Sequence, residues 1–267
     1  IYGHLNANGQ VFLINTNGVL FAPGSAVNVG GIVASTLNIS DSDFQTGNYK
    51  FSGNGGSVVN QGAITAANGG YVALLGNQVA NQGVVVANQG TVALGAGNAV
   101  TLDFAGDGLY SLAVTESALN AQASNQNLIQ ANGGQVYMTA RAANTLAGTV
   151  LNNSGVIEAQ TINNKNGVVI LDGGPSGAVV NSGTLDASGR SAGETGGTVK
   201  VLGDNLTLAA GTKIDVSGAN GGGTALIGGN AHGQGSEQNA TTTTVAKGAT
   251  ISADALTYGN GGKVVIW

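Results

Sequence analysis

Carboxylates, histidines and arginines are the residues that could do chemistry in this chain, and few of them are close in sequence. Hydrolysis of a glycosidic bond needs two carboxylates at a defined separation. The close acidic pairs are Asp41 with Asp43 and Asp103 with Asp107. Asp41 and Asp43 lie in "SDSDF", a context in which Asp caps a turn. A lyase would set a basic residue beside acids and a metal, yet Arg141 and Arg190 have no acidic cluster nearby in sequence. His4 is isolated. His232, in "NAHGQGSE" close to Glu237, reads as a solvated loop histidine rather than a metal ligand. There is no cysteine, which removes disulfides and thiolate metal sites. The Gly-Gly pairs are followed by Tyr, Gln, Thr or Lys, not by the Asp frame of calcium-binding repeats. "GNGGKV" at Gly259 is not a phosphate loop, and "GANGGG" at Gly218 follows no βαβ unit. The expectation is therefore no catalytic residue, no cofactor and no metal.

What remains must be explained by the elements that carry these residues. The chain has 267 residues, of which 47 are Gly and two are Pro; charged residues make up 8% and hydrophobic ones 42%. That apolar fraction is too high for disorder, because enough surface can be buried to offset ordering entropy. The Gly has no three-residue period, which excludes collagen. Net charge is −5, and up to Gln135 the only cation is Lys50. No basic stripe exists for phosphates, so neither nucleic acid nor an anionic membrane is an expected partner. No apolar run is long enough to span a bilayer as a helix. Beginning at Ile1 and ending in "KVVIW", the chain reads as a piece of a longer protein whose signal peptide would lie outside it.

Self-comparison finds a repeat. "VVNQGAITAANGGYVALLG" from Val58 aligns with "VANQGVVVANQGTVALGAG" from Val79, which sets Asn60 and Asn81 twenty-one residues apart. The pattern returns in "LNNSGVIEA" at Leu151, "VVNSGTLDASG" at Val179 and "LAAGTKIDVSG" at Leu208. A second half-unit recurs as "GGYVALLG", "QGTVALGAG", "GGQVYMTA", "GGTVKVLG" and "GGKVVIW". Each unit reads as short strand, Asn-x-Gly turn, short strand, Gly-Gly turn, short strand. Such a unit cannot bury its own apolar face, but a stack of them can. A leucine-rich repeat would need an L-x-x-L-x-L frame with helical stretches, and neither is present. The expected fold is all-β, a parallel β-helix with inserted hairpins or extra-helical strands. Roughly twelve coils at about 4.8 Å each would make a rod on the order of 55 to 60 Å.

At one corner Asn60, Asn81, Asn153 and Asn181 are expected to stack as an amide ladder, each donating to one neighbour and accepting from the other. The glycines two residues on, Gly62, Gly83, Gly155 and Gly183, are expected to take positive φ there. The repeat is interrupted three times. Residues 35–57 read as an inserted hairpin. Residues 101–128 contain the one stretch with helical propensity, and 218–250 read as a Gly, Asn, Gln and Thr-rich loop. The expected divisions are 1–58 (early coils with the inserted hairpin), 59–160 (regular coils with the second insertion) and 161–267 (further coils with the loop).

The opening segment "IYGHLNANGQVFLINTNGVLFAPGSAVNVGGIVASTLNISDSDF" resembles the amino-terminal secretion domain of two-partner-secretion exoproteins, the filamentous haemagglutinin family. That family carries Asn-Pro-Asn-Gly after "VFLI" and then a "VNVGGLVAST"-like segment. Asn15, Asn17 and Gly18 match, whereas Thr16 replaces the usual Pro. The similarity continues through "GGYVALLG", "GDGL" and "GVIEA" to the tail "VAKGATISADALTYGNGGKVVIW". The resemblance implies a right-handed parallel β-helix. It implies export through the periplasm of a Gram-negative bacterium to its surface, and a partner: an outer-membrane β-barrel transporter with periplasmic recognition modules. It also implicates the turn Asn15, Thr16, Asn17, Gly18 in secretion, and the signal peptide and start of the cap found in the family are expected to precede this stretch.

The expected function is thus that of a non-enzymatic secretion domain of a large surface protein of the adhesin or haemagglutinin type. The full-length protein would meet a host-surface glycan or protein. Adhesion, contact-dependent inhibition and haemolysin delivery share such a front end. Two alternatives remain at this point: a carbohydrate-active β-helix enzyme, which needs several acids in one groove, and a self-associating fibre segment. Sequons at Asn38, Asn152, Asn205 and Asn239 allow glycosylation.

Overall fold

The structure is a computed structural model that describes residues 1–106, 108–143, 149–163 and 165–267. Its first elements set the pattern. β1 (His4–Ile14) and β2 (Val19–Phe21) lead into β3 (Ala26–Ser35), which runs parallel to β1. A one-turn helix α1 (Asp41–Gln45) and β4 (Lys50–Ser52) follow. Two full coils come next: β5 (Ser57–Asn60), β6 (Ala63–Ala66) and β7 (Tyr71–Gly76), then β8 (Gln78–Asn81), β9 (Val84–Val86) and β10 (Thr91–Ala96). β11 (Ala99–Ala105) and β12 (Gly108–Glu116) interrupt the winding, which resumes at Gln122 and continues to Ile266.

Three parallel strand columns form the walls. One is an 8-stranded sheet running from β2 through β5 and β8 to Thr242–Val245. The other two are joined into a 16-stranded sheet because β3 belongs to both. Residues Ala26–Val29 of β3 pair with β6, and Ile32–Ser35 pair with β7. The strand bends between those halves at Gly30 and Gly31. A Cβ on Gly30 would lie 2.8 Å from the Asn8 carbonyl oxygen, and one on Gly31 would enter the Tyr71 ring.

The side-chain period of two sends alternate residues inward. Aliphatics therefore superpose in register: Ile64, Val85, Ile129, Ile157, Leu185 and Ile214 form one such column. All are buried in a single continuous core, and each contributes about 1.5–3 kcal/mol relative to exposure. The expected parallel β-helix is the observed fold.

Several details differ from the sequence expectation. Eight strands stack in the first wall, not twelve, because the 21-residue spacing between Asn60 and Asn81 widens to 28 in later coils. Seven steps of about 4.8 Å give roughly 34 Å along the stack. Residues 35–57 close on themselves through an antiparallel Asn38–Ser52 bridge, carry α1 between the two arms, and add β4 antiparallel to β11. The second insertion is the hairpin β11–β12, and the helical propensity at the end of 101–128 is not realised, since Gln122–Asn125 is already a coil strand. Tertiary context wins there because β12, β11 and β4 cover the outer face of β7 and β10, whose residues are all buried. A second apolar cluster fills that interface, with Leu37, Phe51, Tyr71, Leu75, Val100 and Leu102. Finally, 218–250 is not one loop. Thr224–Ile227 and Thr242–Val245 are wall strands, so the Thr run pairs in the sheet.

Gly62, Gly83, Gly155 and Gly183 do not adopt left-handed φ. They are needed for closeness instead. A Cβ on Gly83 would sit 2.1 Å from the Gly62 carbonyl oxygen, and one on Gly183 would sit 2.0 Å from that of Gly155.

Candidate functional site

β1 feeds the first turn. After Ile14 the Asn15 amide donates to the Ser35 carbonyl at 2.9 Å, which extends the β1–β3 ladder by one residue. The chain then reverses. The Asn17 amide donates to Asn15 Oδ1 at 3.1 Å, and the Gly18 amide donates to the Asn15 carbonyl at 3.2 Å. This is a tight turn braced by an Asn side chain. Gly18 has φ 143°, a region that favours glycine. Asn15, Thr16 and Asn17 are exposed. The Thr16 carbonyl accepts the Gly56 amide at 3.0 Å, so the turn is tied to the next coil.

The amide column lies at the corner after the first wall. Asn60 Nδ2 donates to Asn81 Oδ1 at 2.8 Å, and Asn81 donates to Asn125 at 2.8 Å. Asn125 donates to Asn153 at 2.8 Å, and Asn153 donates to Asn181 at 2.7 Å. Asn181 donates to Thr212 Oγ1 at 3.4 Å. All five Asn are completely buried. Every side-chain amide donor belongs to the earlier coil and its side-chain acceptor to the later one, and the Thr212 hydroxyl returns a bond to the Asn181 carbonyl at 2.6 Å. Asn125 and Thr212 were not picked out from sequence. Asn125 sits in "SNQN", where Asn127 replaces the signalling Gly, and Thr212 follows Gly211 in a turn that lacks an Asn.

The candidate chemical residues disperse. Asp41 opens α1. Asp43 accepts from Ser40 Oγ at 2.7 Å and from Asn48 Nδ2 at 2.7 Å. These hydrogen bonds, Ser40's foremost, hold its carboxyl below the usual range, with Lys50 adding a smaller attraction. Asp103 accepts from Ser111 Oγ; Asp107 lies outside the described residues. Arg141 pairs with Asp172 at 2.7 Å and Arg190 with Asp215 at 2.5 Å, each acid being supplied by a later coil. Glu237 pairs with Lys200, not with His232, whose exposed ring faces Trp267. His4 is exposed at the start of β1. Burial raises the Tyr137 phenol, with Tyr110 as a lesser cause. Of the sequons, Asn38, Asn205 and Asn239 are exposed and Asn152 is half-buried.

Among the described residues, three of the larger surface cavities flank the coils. One of about 390 Å³ is lined by Asn54, Gly55, Gly56, Ser57, Asn77 and Gln78 with the loop 118–120. A second, of about 610 Å³, is lined by Asn, Gln, Gly and Ala around Gly30 and Gly70. The third, of about 410 Å³, contains Arg190 and Glu194. Both Glu194 oxygens accept backbone amides, from Asn163 and Ser191. Among the described residues no three His, Cys, Asp or Glu group to hold a metal, and no helix is long and apolar enough to cross a membrane.

The structure thus joins a tight turn on the first coil of a β-helix with an extra-helical antiparallel sheet over β7 and β10. The sequence pattern of the TPS (two-partner secretion) secretion domain matches residues 1–187. The chain belongs to the TPS secretion domain family. It superposes on the secretion domain of HMW1 from Haemophilus influenzae with TM-score 0.82 and 33% identity, over 94% of this chain and 65% of that one. Two heme/hemopexin-binding proteins of Haemophilus influenzae are 31% identical over 201 residues and 34% identical over 196 residues. Each alignment covers 64% of this chain, and 20% and 21% of the relatives. The chain thus spans about a fifth of the length of these relatives. As a TPS secretion domain it serves export through the periplasm to the surface or exterior of a Gram-negative bacterium, and a cognate outer-membrane transporter is its partner.

Proposed function

We propose that this TPS domain acts without catalysis, as the segment that periplasmic modules of the transporter recognise and as the nucleus on which the rest of the exported chain winds. The directional amide column carries the reading. Asn125, Asn153 and Asn181 each reach a carbonyl two residues on in their own coil, but the amide–amide bonds of the column form only when the next coil docks. An unpaired buried amide costs about 1–3 kcal/mol. Every arriving coil removes that cost for the one before and opposes retreat of the chain. The Asn15–Gly18 turn contributes by closing the first coil and tying it to the second through Thr16 and Gly56.

Absence of catalysis is supported by the dispersal of the acids. None of the three cavities is lined by two carboxylates, and Asp43, Asp103, Asp172, Asp215 and Glu194 are all engaged by hydrogen bonds or ion pairs. Contact with a host glycan or protein is assigned to other parts of the protein that carries this domain. The relatives named for binding heme and hemopexin are about five times longer than the aligned stretch.

The test is capture of this domain, extended to its native amino terminus, by purified periplasmic modules of its transporter. Saturable binding that an Asn15→Ala variant weakens is expected. No binding by the extended domain would overturn the reading.

A further inference from the structure

The segment resembling "VNVGGLVAST" ends in Thr36, a polar residue with no solvent exposure. Its Oγ1 donates to the Gly56 carbonyl at 2.9 Å, and its amide donates to the Leu75 carbonyl at 2.9 Å. Gly56 in turn donates its amide to the Thr16 carbonyl at 3.0 Å. One peptide strand, residues 54–57, is therefore held on one side by the buried hydroxyl and on the other by the exposed turn. There is no room for other residues here. A Cβ on Gly55 would lie 2.1 Å from the Thr36 carbonyl oxygen, and one on Gly56 would lie 2.8 Å from that of Asn17. Both obstacles are backbone, which has no rotamer with which to yield.

The strand also has a history. Residues 50–52 form β4 of the extra-helical sheet, and the Gly53 amide donates to the Asn98 carbonyl at 2.9 Å. The chain returns to the winding only at Gly55 and Gly56. The turn and the second coil are thus joined across residues 37–53, whose Leu37 and Phe51 are buried in the second apolar cluster.

We propose that Thr36 and Gly56 are positioning residues for export. With Asn15–Gly18 they make one latch, which closes the first coil against the second and holds the turn in its native shape. The latch rests on the reading that this turn takes part in export. Thr36 contributes the buried hydroxyl that fixes the Gly56 peptide plane, and Gly56 contributes the amide that reaches the Thr16 carbonyl together with the space for Asn17. The two sequence segments that mark the family resemblance meet directly where Asn15 donates to Ser35, and the Gly56 peptide bridges them a second time.

The experiment compares Asn15→Ala, Thr36→Val, Thr36→Ser and Gly56→Ala in the full exported protein, secreted through its own transporter. Leu185→Ala, in a fully buried position several coils away, serves as a stability control. Three quantities are read: export, melting temperature, and amide exchange at Gly18 in the purified domain. Thr36→Val and Gly56→Ala should lower export toward the Asn15→Ala level. They should speed Gly18 exchange by about five- to tenfold, the change carried by roughly one net hydrogen bond. Thr36→Ser, which keeps the hydroxyl, should restore both. Leu185→Ala should lose at least as much melting temperature while exporting better and leaving Gly18 exchange in place. If Asn15→Ala fails in export but Thr36→Val and Gly56→Ala do not, the latch is wrong and the turn reading stands. If Asn15→Ala exports normally, the turn reading falls and the latch falls with it. Should export track melting temperature across all variants, Leu185→Ala included, Thr36 and Gly56 have no positioning role. Should Gly56→Ala fail to fold, the Val and Ser variants of Thr36 decide alone.

Discussion

Replacing Asn125 by Ala strikes the middle of the amide column. Two amide–amide bonds disappear, one received from Asn81 and one given to Asn153, both 2.8 Å long. At about 1 kcal/mol net each, they amount to roughly 2 kcal/mol. Asn81 Nδ2 keeps the Leu128 carbonyl at 3.1 Å, so its donor is not stranded. Asn153 Oδ1 does lose the Asn125 donor inside a completely buried site, which adds about 1–3 kcal/mol. The expected loss is therefore about 3–5 kcal/mol, read by urea denaturation followed in the far-UV circular dichroism of the purified domain. Gln126→Ala, one residue away and exposed, should stay within about 0.5 kcal/mol of the parent. An Asn125→Ala loss below about 1 kcal/mol would refute the claim that the column is a load shared coil to coil. So would equal losses for the two variants.

Thr16→Pro should leave the turn intact and raise stability by up to about 1 kcal/mol, since Pro suits the second position of this turn and restricts the unfolded chain; a lower melting temperature would contradict it. Gly18→Ala should destabilise by roughly 1 kcal/mol or more, because φ 143° is poorly accessible to Ala, and thermal melting checks this. Phe51→Ala empties a fully buried position under the extra-helical sheet. It should cost about 3–5 kcal/mol and open β4 and β11 to proteolysis before the coils. The Asp43 carboxyl is held below its ordinary value of 3.8 in the folded chain, so its contribution is present above that value and is lost as pH falls through the lowered one. Parent and Asp43→Asn should therefore differ in α1 amide exchange at neutral pH and converge in acid; a difference that grows on acidification would contradict the assignment.

The coils are legible because their physics is local. Short apolar runs, an Asn corner and a Gly-Gly corner repeat in phase, and stacking is the one way to bury such units. Asn60, Asn81, Asn153 and Asn181 stand out because a Gly follows each two residues later. Asn125 is hidden by Asn127, and the column's end at Thr212 is hidden by a change of residue type. The coil number is not legible because the spacing is uneven. The insertions are not legible because their structure is set by what they cover. The "GLYSLAV" stretch becomes a strand of the sheet on the backs of β7 and β10, while "SDSDF" becomes a helical turn once the Ser40 hydroxyl caps it, accepting the Asp43 amide and donating to the Asp43 carboxylate. The corner glycines are visible in sequence, but their reason is not, since closeness to a carbonyl in the adjacent coil depends on residues 21 to 37 positions away. The joining of Thr16, Thr36 and Gly56 is invisible for the same reason.

The most direct measurement is export itself. The exoprotein that carries this domain, expressed with its own amino terminus and its cognate outer-membrane transporter, is compared with a version lacking residues 1–187 but keeping its signal for the periplasm. The expected result is surface or medium localisation of the intact protein and retention of the shortened one in the periplasm. Equal export of both would contradict the assignment of secretion to this domain.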